Sequence, residues 1–243
     1  MPVWRRFGAE VFGTFALVLV AAGADTVARL SQGEVTVAAR AVAPALMVSA
    51  LIYAFGDVSG AHLNPVVTLA FAVKRLVPLR MVAGYWVAQL TGAVIAAATL
   101  RALFGAVSDA GVSHPKLVDA PTAVAVEMLL TLLLVSIVLG TADRARVVGP
   151  EAALAVGATI ALCGLVAIPL EGASMNPARS AGPALVAGQL GDLWIYIVGP
   201  LAGALLATVV SRLLHGAPPS GAREAAQGDD PSRPNPAEDT VRT

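Results

Sequence analysis

The sequence predicts an all-α membrane protein with six transmembrane helices and two half-helices arranged as an inverted repeat. Of its 243 residues, 57% are hydrophobic and only 13% are charged, whereas soluble domains carry about 25% charged residues. Six apolar stretches are long enough to cross a bilayer, which takes about 20 residues. Two shorter apolar stretches each begin at an Asn-Pro pair, and the pairs occupy matching places in two related halves of the chain.

The predicted spans follow one another along the first 215 residues. They cover about 7–26, 37–57, 81–104, 122–141, 150–170 and 191–214. The short stretches, 64–73 and 176–187, would each form about three helical turns, roughly half a bilayer. We expect one membrane domain over 1–215, with halves at about 1–110 and 121–215. The polar segment 216–243 is rich in Pro, Gly and Ala, which predicts a disordered tail.

The two halves repeat the same features in the same order. Glu10 in the first span stands four residues before a threonine, and Glu127 in the fourth span does the same. The segment Gly60-Ala61-His62-Leu63-Asn64-Pro65 is echoed by Gly172-Ala173-Ser174-Met175-Asn176-Pro177. Each half holds an odd number of full spans, so the second copy is inverted in the membrane.

Each Asn-Pro pair predicts the start of a short helix, because Asn is a preferred N-cap and Pro suits the first helical position. Irregular backbone at membrane depth is tolerated only where it is buried or lines a watery cavity. Inverted symmetry would bring the N-termini of both short helices together near the midplane, where their positive ends repel cations and protons. The Asn64 and Asn176 amides could donate hydrogen bonds to a passing hydroxyl group. The alternative is two ordinary capped helix starts in loops, and the repetition in register favours a pore.

Three charged residues lie in apolar surroundings. Glu10 and Glu127 must be paired or hydrogen-bonded inside their spans, and their symmetric placement favours a structural role over a proton relay. Arg179 follows Asn176 by three residues, and a charge there is functional by default. The alternative for Arg179 is a side chain that extends to the membrane interface.

Composition excludes several other functions. The formal net charge is zero, so a nucleic-acid partner has no electrostatic support. One cysteine and three histidines provide no disulfide, no thiol metal site and no convincing nucleophile. We therefore expect no enzyme activity, no cofactor and no metal.

The two Asn-Pro segments resemble the loop motifs of the aquaporin, or major intrinsic protein, superfamily, and the resemblance extends over nearly all of 6–214. It implies an aquaporin-like channel domain and a homotetramer with one pore per subunit. The matching motif residues are Asn64, Pro65, Val66, Asn176, Pro177 and Ala178. Val66 departs from the family pattern, in which alanine is usual.

The resemblance also implies roles for individual residues. Glu10 and Glu127 would brace the two loops, and Arg179 would line the outer constriction. The loop residues whose backbone carbonyls would face the pore are Gly60, Ala61, His62, Gly172 and Ser174.

Carrying family positions over by their offset from the two asparagines places Pro44, Gly164 and Ala173 in a ring with Arg179. Strict water channels resemble one another in placing an aromatic residue on span two and histidine on span five, and this chain has neither. A proline on span two could shift the alignment, so that Ala43 or Ala45 faces the pore instead. Each alternative is also small, so a wide ring is expected in every case.

Ser180-Ala181 and Tyr196-Ile197 resemble the plant nodulin-like intrinsic proteins and their bacterial relatives. That subgroup conducts small neutral hydroxylated solutes. We therefore expect a passive channel for water, glycerol-like polyols and undissociated metalloid acids such as arsenite or boric acid, which excludes ions and protons. The alternatives are a strict water channel, a secondary transporter with Glu10 or Glu127 as its coupling site, and a junction protein without flux.

Basic residues indicate the orientation in the lipid bilayer. If the spans alternate, one side carries most of them: Arg5, Arg6, Lys74, Arg75, Arg80, Arg144, Arg146 and Arg212. The positive-inside rule then predicts a multi-pass protein of a bacterial-type cytoplasmic (inner) membrane with both termini in the cytoplasm.

Overall fold

A computed structural model describes residues 1–142, 150–217 and 221–228, and all regular structure in these ranges is helical. The α-helices are α1 (Val3–Leu30), α2 (Val37–Ser59), α3 (Pro65–Val73), α4 (Leu79–Phe104), α5 (Ala120–Ala142), α6 (Pro150–Ala167), α7 (Pro177–Ala187), α8 (Ile195–His215) and α9 (Ala222–Ala226). A 3₁₀ segment, Gly105–Gly111, continues α4.

Six of these helices match the six predicted spans. By length and composition, α1, α2, α4, α5 and α8 can cross a membrane. Helix α6 has 18 residues, which corresponds to about 27 Å, close to the thickness of the hydrocarbon core. The short helices α3 and α7 have 9 and 11 residues. The predicted fold of six spans and two half-helices is confirmed.

Matched close contacts show the repeat in three dimensions. Helix α1 packs on α4 in the first half, and α5 packs on α8 in the second. A Cβ added to Gly92 would lie 2.2 Å from the Val11 carbonyl oxygen, and one added to Gly203 would lie 2.2 Å from the Met128 carbonyl oxygen. Only glycine allows these helix backbones to approach so closely, as is common between membrane helices.

Residues 221–228 require a correction to the expected disorder of 216–243. They form the short helix α9, and the side chains of Ala222 and Ala226 are fully buried. The ring Nε2 of His62 lies 2.8 Å from the Ala226 carbonyl oxygen, and Gln227 donates to the Leu76 carbonyl at 3.0 Å. Small alanine side chains let this segment fit where a bulkier sequence would not. Positions 218–220 and 229–243 of the predicted tail, and the basic residues Arg144 and Arg146, lie outside the described residues.

Candidate functional site

A cavity that offers water-sized molecules about 90 Å³ lies between α1, α2, α5, α6 and the loops that precede α3 and α7. Its apolar wall is formed by helical residues spaced about one turn apart, such as Leu17 and Ala21 on α1 and Val156 and Ile160 on α6. The loops that precede α3 and α7 form the polar wall. The predicted residues that line it are Pro44, Gly60, Ala61, His62, Asn64, Gly164, Gly172, Ala173, Ser174, Asn176 and Arg179.

The two Asn-Pro motifs hold each other where the half-helices meet. The Asn64 side-chain oxygen accepts from the Val66 backbone N–H at 3.1 Å, and the Asn176 oxygen accepts from Ala178 N–H at 3.0 Å. Each side-chain amide then donates across to the other loop: Asn64 to the Met175 carbonyl and Asn176 to the Leu63 carbonyl, both at 2.8 Å. An amide carries two N–H groups, so each asparagine keeps a second donor beside the cavity.

Both loops contain non-glycine residues in the left-handed backbone conformation, which their sequences do not predict. Ala61 and Leu63 have φ of 45° and 54°, and Ala173 and Met175 have φ of 53° and 55°. Residues other than glycine adopt this left-handed region only rarely, and such strain persists where the surrounding structure enforces it.

Glu10 enforces the conformation of the first loop. Its Oε1 accepts from the backbone N–H of His62 at 2.9 Å, and its Oε2 accepts from Leu63 N–H at 2.8 Å. The Ser59 hydroxyl and the Gln89 amide donate to the same carboxylate, at 2.7 and 2.8 Å. These contacts are those expected of a brace: a fully buried carboxylate has its hydrogen bonds satisfied, and loop N–H groups find acceptors.

Glu127 occupies the equivalent place in the second half. It accepts from the backbone N–H groups of Ser174 at 2.5 Å and Met175 at 2.8 Å. Glu171 also belongs to this site, although no sequence motif points to it. The Glu171 carboxylate accepts from Ala173 N–H at 2.9 Å, and its backbone carbonyl accepts from the Tyr196 hydroxyl at 2.5 Å.

The four residues of the predicted ring, Pro44, Gly164, Ala173 and Arg179, all line the cavity. Pro44, rather than Ala43 or Ala45, is among the residues that line it. Gly164 lies where α6 packs tightly on α2, because a Cβ there would approach the Ala41 Cβ to 2.9 Å. Its small size therefore serves helix packing as well as leaving space in the ring.

Arg179 is held by residues that the motifs did not reveal. Its guanidinium donates to the Ser113 hydroxyl and, at 3.2 Å, to Asp25. The other Asp25 oxygen accepts from Arg40 at 2.6 Å. Lys116 lies in the same electrostatic environment; burial lowers its pKa, and the negative charge of Asp25 partly offsets that effect. The available sequence signal was Asp25 itself, a second carboxylate near the end of a mostly apolar span.

The His62 side chain has a structural environment, with hydrogen-bond partners and aromatic neighbours from three helices. Its Nδ1 lies 3.0 Å from the Thr68 hydroxyl, and its ring packs 4.8 Å from the rings of Phe71 and Tyr85, centroid to centroid. The side chain thus links α3, α4 and α9, while the residue's position on the cavity wall is consistent with the predicted role of its carbonyl.

Comparison with known proteins identifies the family of this architecture. The family model for the major intrinsic proteins matches residues 1–211. The chain is a member of the major intrinsic protein family. It is 43% identical over 208 residues to Aquaporin NIP1-1 of Oryza sativa subsp. japonica, covering 84% of this chain and 72% of that protein. It is 41% identical over 199 residues to Probable aquaporin NIP4-2 of Arabidopsis thaliana, covering 82% and 70%.

The fold of this chain is similar to that of a solved structure. The aquaglyceroporin from Plasmodium falciparum superposes with a TM-score of 0.79 at 22% sequence identity, over 88% of this chain and 97% of that one. Aquaporins of the family are channels and not enzymes, so the chain is a multi-pass membrane channel. The predicted relationship to nodulin-like intrinsic proteins also agrees with these relatives.

Proposed function

We propose that this channel conducts water and small uncharged hydroxylated solutes passively, including glycerol-like polyols and undissociated metalloid acids such as arsenite or boric acid. The observation that carries the proposal is the ring in which Pro44, Gly164 and Ala173 line the cavity together with Arg179. Three of these four residues have small side chains, so the ring has one strong hydrogen-bond donor and little bulk. Pore diameter and the groups that line a pore determine which neutral solutes pass.

The chemistry of the walls fits such solutes. Loop carbonyls and asparagine amides on one wall can exchange hydrogen bonds with hydroxyl groups. The opposite wall presents Leu17, Val48 and Ile160, which suit the carbon atoms of a polyol. Water needs only the polar wall, whereas a larger hydroxylated molecule can use both. Two relatives bear the name aquaporin, which supports water as one permeant.

Ion exclusion is proposed to arise from two features. The N-termini of α3 and α7 direct their partial positive charges at the level of Asn64 and Asn176. Arg179 adds a full positive charge at the constriction. A cation that lost its water shell here would meet positive potential at two successive points.

A coupled transporter is less well supported by the two buried glutamates. Glu10 accepts four hydrogen bonds from Ser59, His62, Leu63 and Gln89. Glu127 accepts from two loop N–H groups. The oxygens of these carboxylates already accept hydrogen bonds that hold the loops, which leaves them poorly suited to bind and release a coupling proton. A passive pore therefore agrees better with their surroundings.

We further propose that both termini face the cytoplasm and that four copies assemble, each with its own pore. The Arg6 guanidinium donates to the Gln227 side chain at 3.3 Å, so the N-terminal end of α1 and the segment after α8 share one end of the molecule. The positive-inside rule assigns that end to the cytoplasm. Protease accessibility of tagged termini in oriented vesicles would test the orientation. The mass of the purified channel, corrected for bound detergent, would test the assembly.

The decisive experiment is stopped-flow light scattering on proteoliposomes, with water, glycerol and boric acid as separate permeants. Empty liposomes of the same lipid are the control. We expect all three to cross faster than in empty liposomes, without saturation and without dependence on a proton gradient. Rapid water flow with exclusion of glycerol and boric acid would show that the channel is water-selective. Saturable flux that follows the proton gradient would instead indicate a transporter.

A further inference from the structure

The Asp25 carboxylate connects two arginines at the mouth of the cavity where Arg179 lies. One oxygen accepts from Arg40 at 2.6 Å and the other accepts from Arg179 at 3.2 Å. The three side chains are only 9–19% exposed, so bulk water screens their charges weakly. All three also line the cavity.

Arg179 depends on this contact because the ring offers it little else. Pro44, Gly164 and Ala173 have no side-chain hydrogen-bond acceptor. Within the described chain, the guanidinium has two hydrogen-bond partners, Ser113 and Asp25. Ser113 is neutral, so Asp25 supplies the charge that fixes the guanidinium against the wall. The Asp25 carboxylate adds a Coulomb attraction to its hydrogen bond with Arg179, which the neutral Ser113 hydroxyl does not supply.

We propose that Asp25 is a specificity-determining residue, which holds Arg179 out of the solute path and offsets the charge of the two arginines. Without its negative charge, Arg40 and Arg179 would repel each other at close range. The Arg179 side chain would then extend into the space that its small neighbours leave open. The permeability to the larger solutes would fall most, because those solutes need that space. This inference rests on the proposed wide solute range.

Asp25→Asn tests the inference, because it removes the charge while keeping the shape of the side chain. We expect the ratio of glycerol to water permeability to fall several-fold in proteoliposomes. Arg40→Gln in the same protein removes the second cation, so the double variant should recover much of the ratio. A merely structural role for Asp25 would not produce that recovery. Asp109→Asn is the matched control: its carboxylate pairs with Arg101 at 2.5 Å, outside this cavity.

The outcomes separate this inference from the proposed function. Wild-type channels that pass water but exclude glycerol would overturn the solute range. In that case a several-fold lower water permeability of Asp25→Asn, reversed by Arg40→Gln, would still support the role of Asp25. Unchanged permeability to every solute in Asp25→Asn would overturn it, as would a loss that Arg40→Gln does not reverse.

A second inference concerns the opposite mouth, where residues 221–228 dock. The Ala226 carbonyl oxygen would lie 2.3 Å from a Cβ on Gly60, a residue of the cavity wall. Helix α9 also packs against α5, the helix from which Leu134 and Val138 line the cavity. The segment therefore reaches from the Gly60 loop on one wall to α5 on another.

We infer that this segment is an autoinhibitory element that restricts the mouth when docked. Among the described residues, its polar contacts are with the His62 ring, the Leu76 carbonyl and the Arg6 guanidinium. Its buried apolar groups are alanine methyls, which contribute little hydrophobic free energy per residue. Such an element can leave the mouth without unfolding the helices behind it.

Ala226→Glu in the full-length chain tests this inference, because a carboxylate cannot be buried unpaired at a fully enclosed position. We expect undocking and a several-fold increase in water permeability. Arg223→Glu is the matched control, since Arg223 is exposed on the same short helix. A chain that ends after Ala217 should behave like Ala226→Glu, and a synthetic peptide of residues 218–243 added to it should lower its permeability again. If Ala226→Glu and the chain that ends after Ala217 both conduct water no faster than the wild type, the inference is wrong.

Discussion

Asn64 and Asn176 are tied to each other's loops by reciprocal hydrogen bonds: Asn64 donates to the carbonyl before Asn176, and Asn176 donates to the carbonyl before Asn64. Each asparagine also caps its own half-helix. The two residues therefore position the helix ends and join the halves of the repeat at the same point. Truncation of either side chain to alanine is expected to remove both functions.

Asn64→Asp separates the two functions. A carboxylate can still accept from the Val66 N–H and cap α3, but it cannot donate to the Met175 carbonyl. It would also place a negative charge between the positive helix ends. We expect thermal stability close to wild type and a measurable leak of protons or Na⁺, read with a pH-sensitive dye in liposomes. An intact ion barrier in this variant would show that the amide tie is not needed for exclusion.

Arg179→Val should weaken charge exclusion at the constriction. Its guanidinium is the only full positive charge in the predicted ring, and valine cannot replace its hydrogen bonds. We expect faster proton or cation leak while water permeability is retained. Arg101→Val is the control, because Arg101 pairs with Asp109 near the same end of the helices without lining the cavity. Equal ion leak in the two variants would show that the barrier to ions does not depend on Arg179.

Glu10→Gln should destabilise the channel more than Glu127→Gln does. Glu10 accepts four described hydrogen bonds, whereas Glu127 accepts two from loop N–H groups and forms one more with the Glu171 carboxyl group. A glutamine amide turns one acceptor oxygen into a donor, which faces other donors. Each charge-assisted bond contributes about 1.5–3 kcal/mol, so the loss for Glu10 is of the order of 3 kcal/mol. Melting temperatures in detergent would measure it, and equal values for both variants would contradict this account.

Pro44→Phe should narrow the ring. Phenylalanine adds bulk to the cavity wall, and its backbone N–H can complete the helical hydrogen bond that proline omits. We expect glycerol permeability to fall much further than water permeability. Leu46→Phe provides the control, because Leu46 is 64% exposed and points away from the cavity. Equal glycerol rates for Pro44→Phe and wild type would show that the ring is not the size barrier.

Local sequence signals were sufficient for the parts of the site that depend on neighbouring residues. An N-cap asparagine followed by proline starts a helix regardless of distant contacts, so α3 and α7 begin where expected. The matched placement of Glu10 and Glu127 likewise reflects the repeat. By contrast, Asp25 and Arg179 are 154 positions apart, and no local pattern links them. The left-handed conformation of Ala61 and Leu63 was equally hidden, because it results from hydrogen bonds to a distant carboxylate.

The tail illustrates a limit of composition. Pro, Gly and Ala with scattered charges predicted disorder, yet the same small side chains allow residues 222–226 to enter a confined space. Composition describes what a segment can do on its own. It carries no information about a cavity elsewhere in the chain that the segment fits.

The left-handed loop residues have a consequence for the temperature dependence of permeation. Hydrogen bonds from the loop N–H groups to Glu10 and Glu127 offset the backbone strain when the protein folds. The loop carbonyl oxygens that we predict to face the pore are then fixed before any molecule arrives, so a permeating molecule would exchange one hydrogen-bond partner for the next without waiting for the wall to rearrange. Permeation should therefore slow only gently on cooling, in proportion to the mobility of the solvent rather than to the motions of the protein.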